Sequence, residues 1–380
     1  MRKILFCLLL LGCCLVAGAC MFVNHPQFGQ QQIQSGFYSI ADSSHYHDGE
    51  FHNLIPTSVL SDGSSTFSIL MSDLFSSAGR LRPENPIPTI KTELKRFDKN
   101  TDQVIWFGHS SCFVQLEGKS ILIDPVFSDY ASPLPFVNKA FEGTGIYAAD
   151  DMPEIDYLLI THDHWDHLDY STVIALKSKV KHVVCPLGVG AHFKKWGYAQ
   201  ERIHEADWYD RLELEKEITI HVLPARHYSG RRMSRNKTLW AGFALESEKR
   251  RLFFSGDSGY GPHFSEIGRK FSGFDLVFLD CGQYDKRWAY IHMNPEEAVR
   301  AAKDLQTKAL LPAHVGKFTI ARHPWDEPFT RIAGASRKEN TRLLTPQIGE
   351  PIFLDSIQTK MSQWWNDTNL LAPNNVLAEK

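Results

Sequence analysis

The run Ile160-Thr161-His162-Asp163-His164-Trp165-Asp166-His167-Leu168-Asp169 crowds four potential metal ligands into six positions: His162, His164, Asp166 and His167. On an extended stretch, residues two apart project to one side, so His162 and His164 can grip one ion together. Asp166 and His167, after the chain turns, can face a second. Imidazole nitrogen and carboxylate oxygen suit Zn²⁺, and the same ligand types also accommodate iron or manganese. Two ions need about three more ligands, and three candidates stand behind strand-like runs. They are His227 after Pro224-Ala225-Arg226, Asp257 in Ser255-Gly256-Asp257-Ser258-Gly259-Tyr260, and His314 in Pro312-Ala313-His314-Val315-Gly316. A lone histidine at a strand end is more often structural than ligating. Three such positions in series behind a dense cluster reverse that expectation. A metal pair roughly 3.5–4 Å apart can hold both the nucleophile and a phosphoryl oxygen of a displacement. Water held there is acidic near neutral pH, and Asp166 beside it is placed to orient it and take its proton.

The elements that must position these residues are legible as short apolar runs. Strands are expected at Val104–Phe107, Cys112–Leu116, Ser120–Ile123, Tyr157–Ile160, His182–Cys185 and Ile218–Leu223. Others are expected at Leu239–Leu245, Arg251–Phe254, Leu276–Leu279, Ala309–Leu311 and Pro351–Leu354, with a tight turn at Glu117-Gly118-Lys119. Helices are expected over Tyr170–Lys179 and Pro295–Leu305; the second carries Pro295, Glu296 and Glu297 where helix starts prefer them. Many strands, interspersed helices and no Gly-rich phosphate loop argue for an α/β sandwich rather than a Rossmann fold.

The order His162-x-His164-x-Asp166-His167, His227, Asp257, His314 resembles the metallo-β-lactamase superfamily over roughly residues 100–355. Further stretches carry a narrower resemblance: Trp106-Phe-Gly-His-Ser-Ser111, Asp124-Pro125, His227-Tyr-Ser-Gly-Arg231 and His292-Met-Asn-Pro-Glu-Glu-Ala298. With Gly256-Asp-Ser-Gly-Tyr260, they look like the N-acylphosphatidylethanolamine-hydrolysing phospholipase D family and its bacterial relatives. The resemblance implies an αββα sandwich with the site at one edge. It also implies that His162, His164 and His227 hold one zinc, that Asp166, His167 and His314 hold the other, and that Asp257 bridges them. It places His292, which leads into a helix N-terminus, near the substrate phosphate, in a catalytic role beside Asp166. His323 is a second candidate for the pocket rim, and Tyr228 and Arg231 are candidates for substrate contact. His109 and Asp124 read as hydrogen-bonding supports. The leading expectation is a two-zinc phosphodiesterase acting on membrane phospholipid. A lactonase or other carbon–oxygen hydrolase of the same fold is the alternative, and a non-catalytic envelope lipoprotein a further one.

The chain has 380 residues, 43% hydrophobic and 22% charged, which is ordinary globular composition. A formal charge of −3 leaves no global basic footprint and argues against a dedicated nucleic-acid binder. Arg2 and Lys3, the apolar run Ile4 to Val16, and Ala17-Gly18-Ala19-Cys20 read as a lipoprotein-type signal over 1–20, with Cys20 as the acylated residue. Residues 21–99 read as a tether and N-terminal extension, with an amphipathic helix at Phe67–Phe75. Residues 100–355 read as the catalytic domain, and 356–380 as a partly flexible tail around Trp364-Trp365. The protein is thus expected in the cell envelope, lipid-anchored and facing away from the cytoplasm. Cys112, Cys185 and Cys281 stand apart in apolar runs and form no disulfide framework. The sequence specifies no oligomeric state.

Overall fold

The computed structural model describes residues 2–30, 40–65, 80–232, 234–357 and 362–367. The helix expected at Phe67–Phe75 and the tail beyond 367 lie outside the described residues. The chain opens with helix α1 (Arg2–Val23) and a small hairpin, β1 (Tyr46–His47) and β2 (Glu50–Phe51). Two large sheets follow. The first contains β3 (Gln103–Trp106), β4 (Cys112–Leu116), β5 (Lys119–Ile123), β6 (Ile155–Leu159), β7 (Val180–Pro186), β8 (Ile203–Ala206) and the late β15 (Pro351–Phe353). The second contains β9 (Arg211–Glu215), β10 (Ile218–Leu223), β11 (Gly242–Glu246), β12 (Arg251–Phe254), β13 (Leu276–Asp280) and β14 (Leu310–Ala313). Their orders are β15-β3-β4-β5-β6-β7-β8 and β14-β13-β12-β11-β10-β9.

The alternation of side chains along each strand builds four layers. Val104, Trp106, Val114, Ile121, Ile123, Tyr157 and Leu159 pack inward against Ile220, Val222, Phe243, Leu245, Leu252, Phe254 and Phe278 of the other sheet. The intervening residues face outward. Ile105, Phe113, Leu122 and Leu158 meet helices α2 (Tyr170–Leu176) and α3 (Gly190–Lys195) through Val173, Leu176 and Phe193. Ala244, Phe253, Val277 and Leu279 meet α4 (His263–Phe271), α5 (Pro295–Asp304) and α6 (Glu327–Lys338) through Phe264, Ile267, Val299 and Ile332. A strand buried on both faces reads as a continuous apolar run, and that is how these strands appear in the sequence. The expected αββα sandwich is the fold found.

Parallel pairing sets the position of the site. β5, β6, β7 and β8 run parallel in one sheet, and β12, β13 and β14 run parallel in the other. Their C-terminal ends therefore gather at one edge. The two sheets are tied there by His109 N–H donating to Val315 O (2.8 Å) and His314 N–H donating to His109 O (3.1 Å).

Two segments outside the expected domain belong to the packed body. Trp364 and Trp365, in the short helix α7 (Trp364–Asp367), are buried against Phe329, and Trp364 Nε1–H donates to Pro346 O at 3.1 Å. These two rings are core, in contrast to the flexible tail expected around them. The start of the N-terminal extension is also held on the body, because Pro26 to Gly29 are fixed by Trp196, Arg231, Arg232 and Lys195. Cys112, Cys185 and Cys281 are buried free thiols, each pushed up in pKa first by burial.

Candidate metal centre

The first ligand group contains His162 and His164 from the loop after β6, His227 from the loop after β10 and Asp257 from the loop after β12. The hydrogen bonds of the rings fix their tautomers. Thr161 Oγ1–H donates to Asp124 Oδ2 (2.6 Å), so its oxygen accepts from His162 Nδ1–H (3.0 Å). His227 Nδ1–H donates to Ile291 O at 3.0 Å. Both rings therefore present a bare Nε2, and both point at His164 Nδ1, at 2.9 and 3.2 Å. One proton on His164 Nδ1 can satisfy only one of them. A tetrahedral ion with bonds of 2.0–2.1 Å separates its ligand atoms by about 3.3 Å. The nitrogens at 2.9 and 3.2 Å, and Asp257 Oδ2 at 3.7 Å from both His162 Nε2 and His227 Nε2, fit such a shell.

The second group contains His109, Asp166, His167 and His314. His167 Nδ1–H donates to Asp124 Oδ2 (2.8 Å) and His314 Nδ1–H to Asp280 Oδ1 (3.2 Å), so Nε2 is the nitrogen that each ring turns to the centre. His314 Nε2 lies 3.0 Å from Asp166 Oδ2 and 3.4 Å from Asp257 Oδ2. His167 Nε2 and Asp257 Oδ1 are buried without a hydrogen-bond partner and stand 3.1 Å apart. Orphaned buried polar atoms are costly, and here their lone pairs converge where a cation would satisfy them. Asp257 thus stands between the groups, with Oδ1 beside His167 of the second and Oδ2 facing both, and the donor set fits two divalent ions.

The electrostatics of the two groups differ. Burial, reinforced by the neighbouring histidines, holds His162 well below the ordinary imidazole range, and burial does the same to His227. Burial also opposes charge on His167 and His314, but the carboxylates outweigh it. Asp257 and Asp166 carry His167 well above its usual value, and Asp257 and Asp280 push His314 up to about 10. Asp166 and Asp257 lie well below the usual carboxylate range in spite of burial, chiefly because of His167. The second group therefore demands positive charge, as a proton or as a metal.

The backbone holds the site in uncommon conformations. His109 (φ 55°), Asp124 (φ 41°) and His314 (φ 62°) all occupy the left-handed region, which clusters at functional sites. Gly256, just before Asp257, has φ 57°, and a Cβ there would lie 2.8 Å from Ala241 O. Only glycine admits so close an approach.

All seven expected ligands are brought together. His292 joins them: its ring lies 4.9 Å from His227 and 5.0 Å from His314, and its Nδ1–H donates to Asp280 Oδ2 at 2.7 Å. Asp124 supports His167, and His109 supports Asp166 through Nε2–H at 2.9 Å, as expected of both. Tyr228 stands beside the first group, 4.5 Å from the His164 ring. Arg231 does not reach out to substrate as expected. It is buried with its guanidinium 4.0 Å from the Trp165 ring centre, and it donates to Asp163 O (3.2 Å) and Leu168 O (2.7 Å), bracing both ends of the ligand loop. His323 lies outside both ligand groups, stacked on Tyr284 at 4.3 Å and bonded to Pro324 O.

Sequence reasoning missed two supports. Asp280 ends β13 and holds both His292 and His314; the aspartate after the apolar run Leu276–Leu279 was its only signal. Asn53, in the extension, brackets the His227 peptide with Nδ2–H to His227 O (2.8 Å) and Oδ1 from His227 N–H (3.1 Å). No local pattern marks such a residue 174 positions away.

A four-layer sandwich carrying two converging ligand groups at its strand ends defines a metal-dependent hydrolase, and the chain belongs to the metallo-β-lactamase superfamily. The family model described as "Beta-lactamase superfamily domain" matches residues 119–315. The chain is 38% identical over 327 residues to an uncharacterised protein of Mycobacterium tuberculosis, covering 85% of this chain and 87% of that one. It is 32% identical over 263 residues to N-acyl-phosphatidylethanolamine-hydrolyzing phospholipase D 1 of Caenorhabditis elegans, covering 64% of this chain and 74% of the relative. A 101-residue stretch is 52% identical to outer membrane protein RomA of Klebsiella pneumoniae, covering 27% of this chain and 76% of that one. Among solved structures, the metallo hydrolase Igni18 of Ignicoccus hospitalis shares the fold, with a TM-score of 0.51 at 19% identity, over 67% of this chain and 98% of that one.

Proposed function

We propose that this protein is a two-zinc phosphodiesterase of the phospholipase D type that acts on membrane phospholipid. The observation that carries the reading is Asp257, whose two oxygens face the two ligand groups. His162, His164 and His227 would hold one ion and Asp166, His167 and His314 the other. Bound there, two divalent ions would supply Lewis acidity toward a phosphoryl oxygen and a water acidified near neutral pH.

The chain's own residues orient substrate and move protons. Asp166, fixed by His109, orients the attacking water and accepts its proton. His292 gives its Nδ1–H to Asp280, which leaves Nε2 for the reaction. Asp280 fixes the ring so that Nε2 faces the phosphoryl group, and Nε2 hands a proton to the departing alcohol oxygen. Water and a phosphodiester thereby give a phosphomonoester and an alcohol. Similarity to the Caenorhabditis elegans phospholipase D supports the lipid substrate.

In this reading the chain is anchored in the cell envelope by a lipid on Cys20 and works outside the cytoplasm. Support comes from Arg2 and Lys3 ahead of a short apolar run and a small-residue approach to cysteine. Similarity to the Klebsiella outer membrane protein points the same way. The zinc-loaded protein should cleave bis(p-nitrophenyl) phosphate and N-acylated phosphatidylethanolamine, and leave a lactone and a β-lactam intact. Lactone turnover without phosphodiester turnover would replace this reading with the lactonase one. Inertness toward the whole panel would favour a non-catalytic envelope protein. Failure of Cys20 to take up a metabolically supplied fatty acid would remove the anchor.

A further inference from the structure

The hairpin β1–β2 carries ligand chemistry that the metal centre does not use. Asp48 (φ 55°) and Gly49 (φ 78°) form its two-residue turn, and an Asp-Gly pair with both φ angles positive matches the twist of the strands it joins. Tyr46 pairs with Phe51, and His47 with Glu50. Strand alternation therefore separates two faces. Phe51 is fully buried, and Tyr46 packs beside it on the core, with ring centres 4.9 Å apart. His47, Glu50 and His52 fall on the other face, where His47 and the turn residue Asp48 are exposed. The hairpin is held on the body: Phe51 N–H donates to Asn236 O (2.8 Å) and Lys237 Nζ to Gly49 O (2.6 Å). Asn53, directly after His52, grips the His227 peptide.

On that frame His47, Asp48 and His52 bring one ligand atom each within 4.8 Å of the others. The two imidazole rings lie parallel, at 5° between planes and 3.7 Å between centres, so an ion at their edge meets both. Each ring already engages one nitrogen: His47 Nδ1–H donates to Asp48 Oδ2 and His52 Nε2–H to His47 O, both at 3.2 Å. The tautomers that these bonds select leave His47 Nε2 and His52 Nδ1 bare. A ligating histidine gives its other ring N–H to a carboxylate or a backbone carbonyl, which fixes the ring and raises its basicity. Both histidines meet that condition, one with each kind of partner. Rotation of the exposed His47 and Asp48 side chains closes the group on an ion, whose bonds of about 2.0–2.2 Å need ligand atoms about 3.3 Å apart.

We propose that His47, Asp48 and His52 form a surface site for a divalent transition-metal ion, separate from the two ligand groups at the strand ends. Two imidazoles and one carboxylate select Cu²⁺, Ni²⁺ or Zn²⁺ over Ca²⁺ and Mg²⁺, which take shells of oxygen. The backbone beneath the ligands is fixed, but the exposed side chains must be ordered when the ion binds. That ordering opposes binding and sets the affinity in the micromolar range, so the ion exchanges with solvent.

The test uses the full-length zinc-loaded chain, dialysed against zinc-free buffer, with Cu²⁺, Ni²⁺ and Ca²⁺ as probes. The native protein should take up one further Cu²⁺ per chain at micromolar concentration without releasing zinc. It should bind Ni²⁺ more weakly and Ca²⁺ not at all at this site. Electron paramagnetic resonance of the added Cu²⁺ should show two nitrogen ligands. His47→Ala and His52→Ala should each weaken that uptake by at least about tenfold and leave one nitrogen on any copper still bound. Zinc retained after dialysis should be equal in native and variant proteins, which separates this site from the metal centre: a failure of the two-ion reading would alter the retained zinc and leave the copper difference in place. No further Cu²⁺ uptake by the native protein, uptake that both variants match, or Ca²⁺ binding as tight as that of Cu²⁺ would each overturn the proposal.

Discussion

Asp124→Asn replaces a buried carboxylate by an amide of the same shape, and the consequence follows from three hydrogen bonds. Asp124 Oδ2 accepts from His167 Nδ1–H (2.8 Å) and Thr161 Oγ1–H (2.6 Å), and Oδ1 accepts from Thr161 N–H (2.8 Å). An asparagine has one acceptor oxygen. If that oxygen keeps the Thr161 peptide, its NH₂ points at His167 Nδ1, which can receive it only by moving the ring proton to Nε2. That is the nitrogen the second ion needs bare. If the amide turns over, its NH₂ opposes the Thr161 N–H and leaves that donor buried and unpaired. Removing such an outer partner typically weakens metal binding by about 10–100-fold, or about 1.4–2.7 kcal/mol. The loss should fall chiefly on the Asp166–His167–His314 ion. Titration in chelator-buffered zinc, with elemental analysis of the dialysed protein, reads both affinities, and the melting temperature of the apo-protein controls for folding. Two affinities within about twofold of native in a folded variant would refute the tautomer argument.

Asp257→Ala should damage metal binding more than any other single change, lowering affinity for both ions beyond the ~100-fold reached by outer partners; native metal content by elemental analysis would show that the bridge is misplaced. His162→Ala and His314→Ala should each strip one position and nearly abolish turnover, and full activity at one ion per chain would exclude a working pair. Zinc affinity should fall as pH falls. Without metal, His167 is held well above its usual pKa and His314 at about 10, so both carry protons at neutral pH that loading must displace, and each displaced proton changes affinity by about tenfold per pH unit. Calorimetry in buffers of different ionisation enthalpy should detect this proton release near pH 7, and none would contradict the charge assignment. Trp364→Ala should cost about 3–5 kcal/mol in urea unfolding, because a buried ring is removed from the core, and a loss below about 1 kcal/mol would mean that the tail is peripheral.

The seven residues that converge at the strand ends were legible because chemistry is written in residue type and local spacing. Four ligands within six residues, each further one behind an apolar run, signal a strand-end site before any pairing is known. The strands Cys112–Leu116, Ile218–Leu223 and Arg251–Phe254 occur within the bounds that their sequences suggest, since strands buried on both faces are bounded apolar runs. The edge strand Arg211–Glu215 was not legible. In Arg-Leu-Glu-Leu-Glu only alternate residues face the core, and charge masks the pattern. Helices His263–Phe271 and Glu327–Lys338 were missed for a similar reason, because each buries a single stripe.

What the sequence determined by itself was the class of chemistry, the sandwich and the residues able to hold metal. Tertiary structure decided which partner each of those residues has. It set Asp280 beneath His292 and His314, turned Arg231 inward to brace the ligand loop, and brought Asn53 to the His227 peptide across 174 positions. It also drew Trp364 and Trp365 into the core and laid Phe28 on Trp165. Ligand type depends on the electronic character of a single side chain, which the sequence states outright. Tautomer, charge and orientation depend on which distant groups are buried beside that side chain, and parallel strand pairing and layer packing alone bring those groups together.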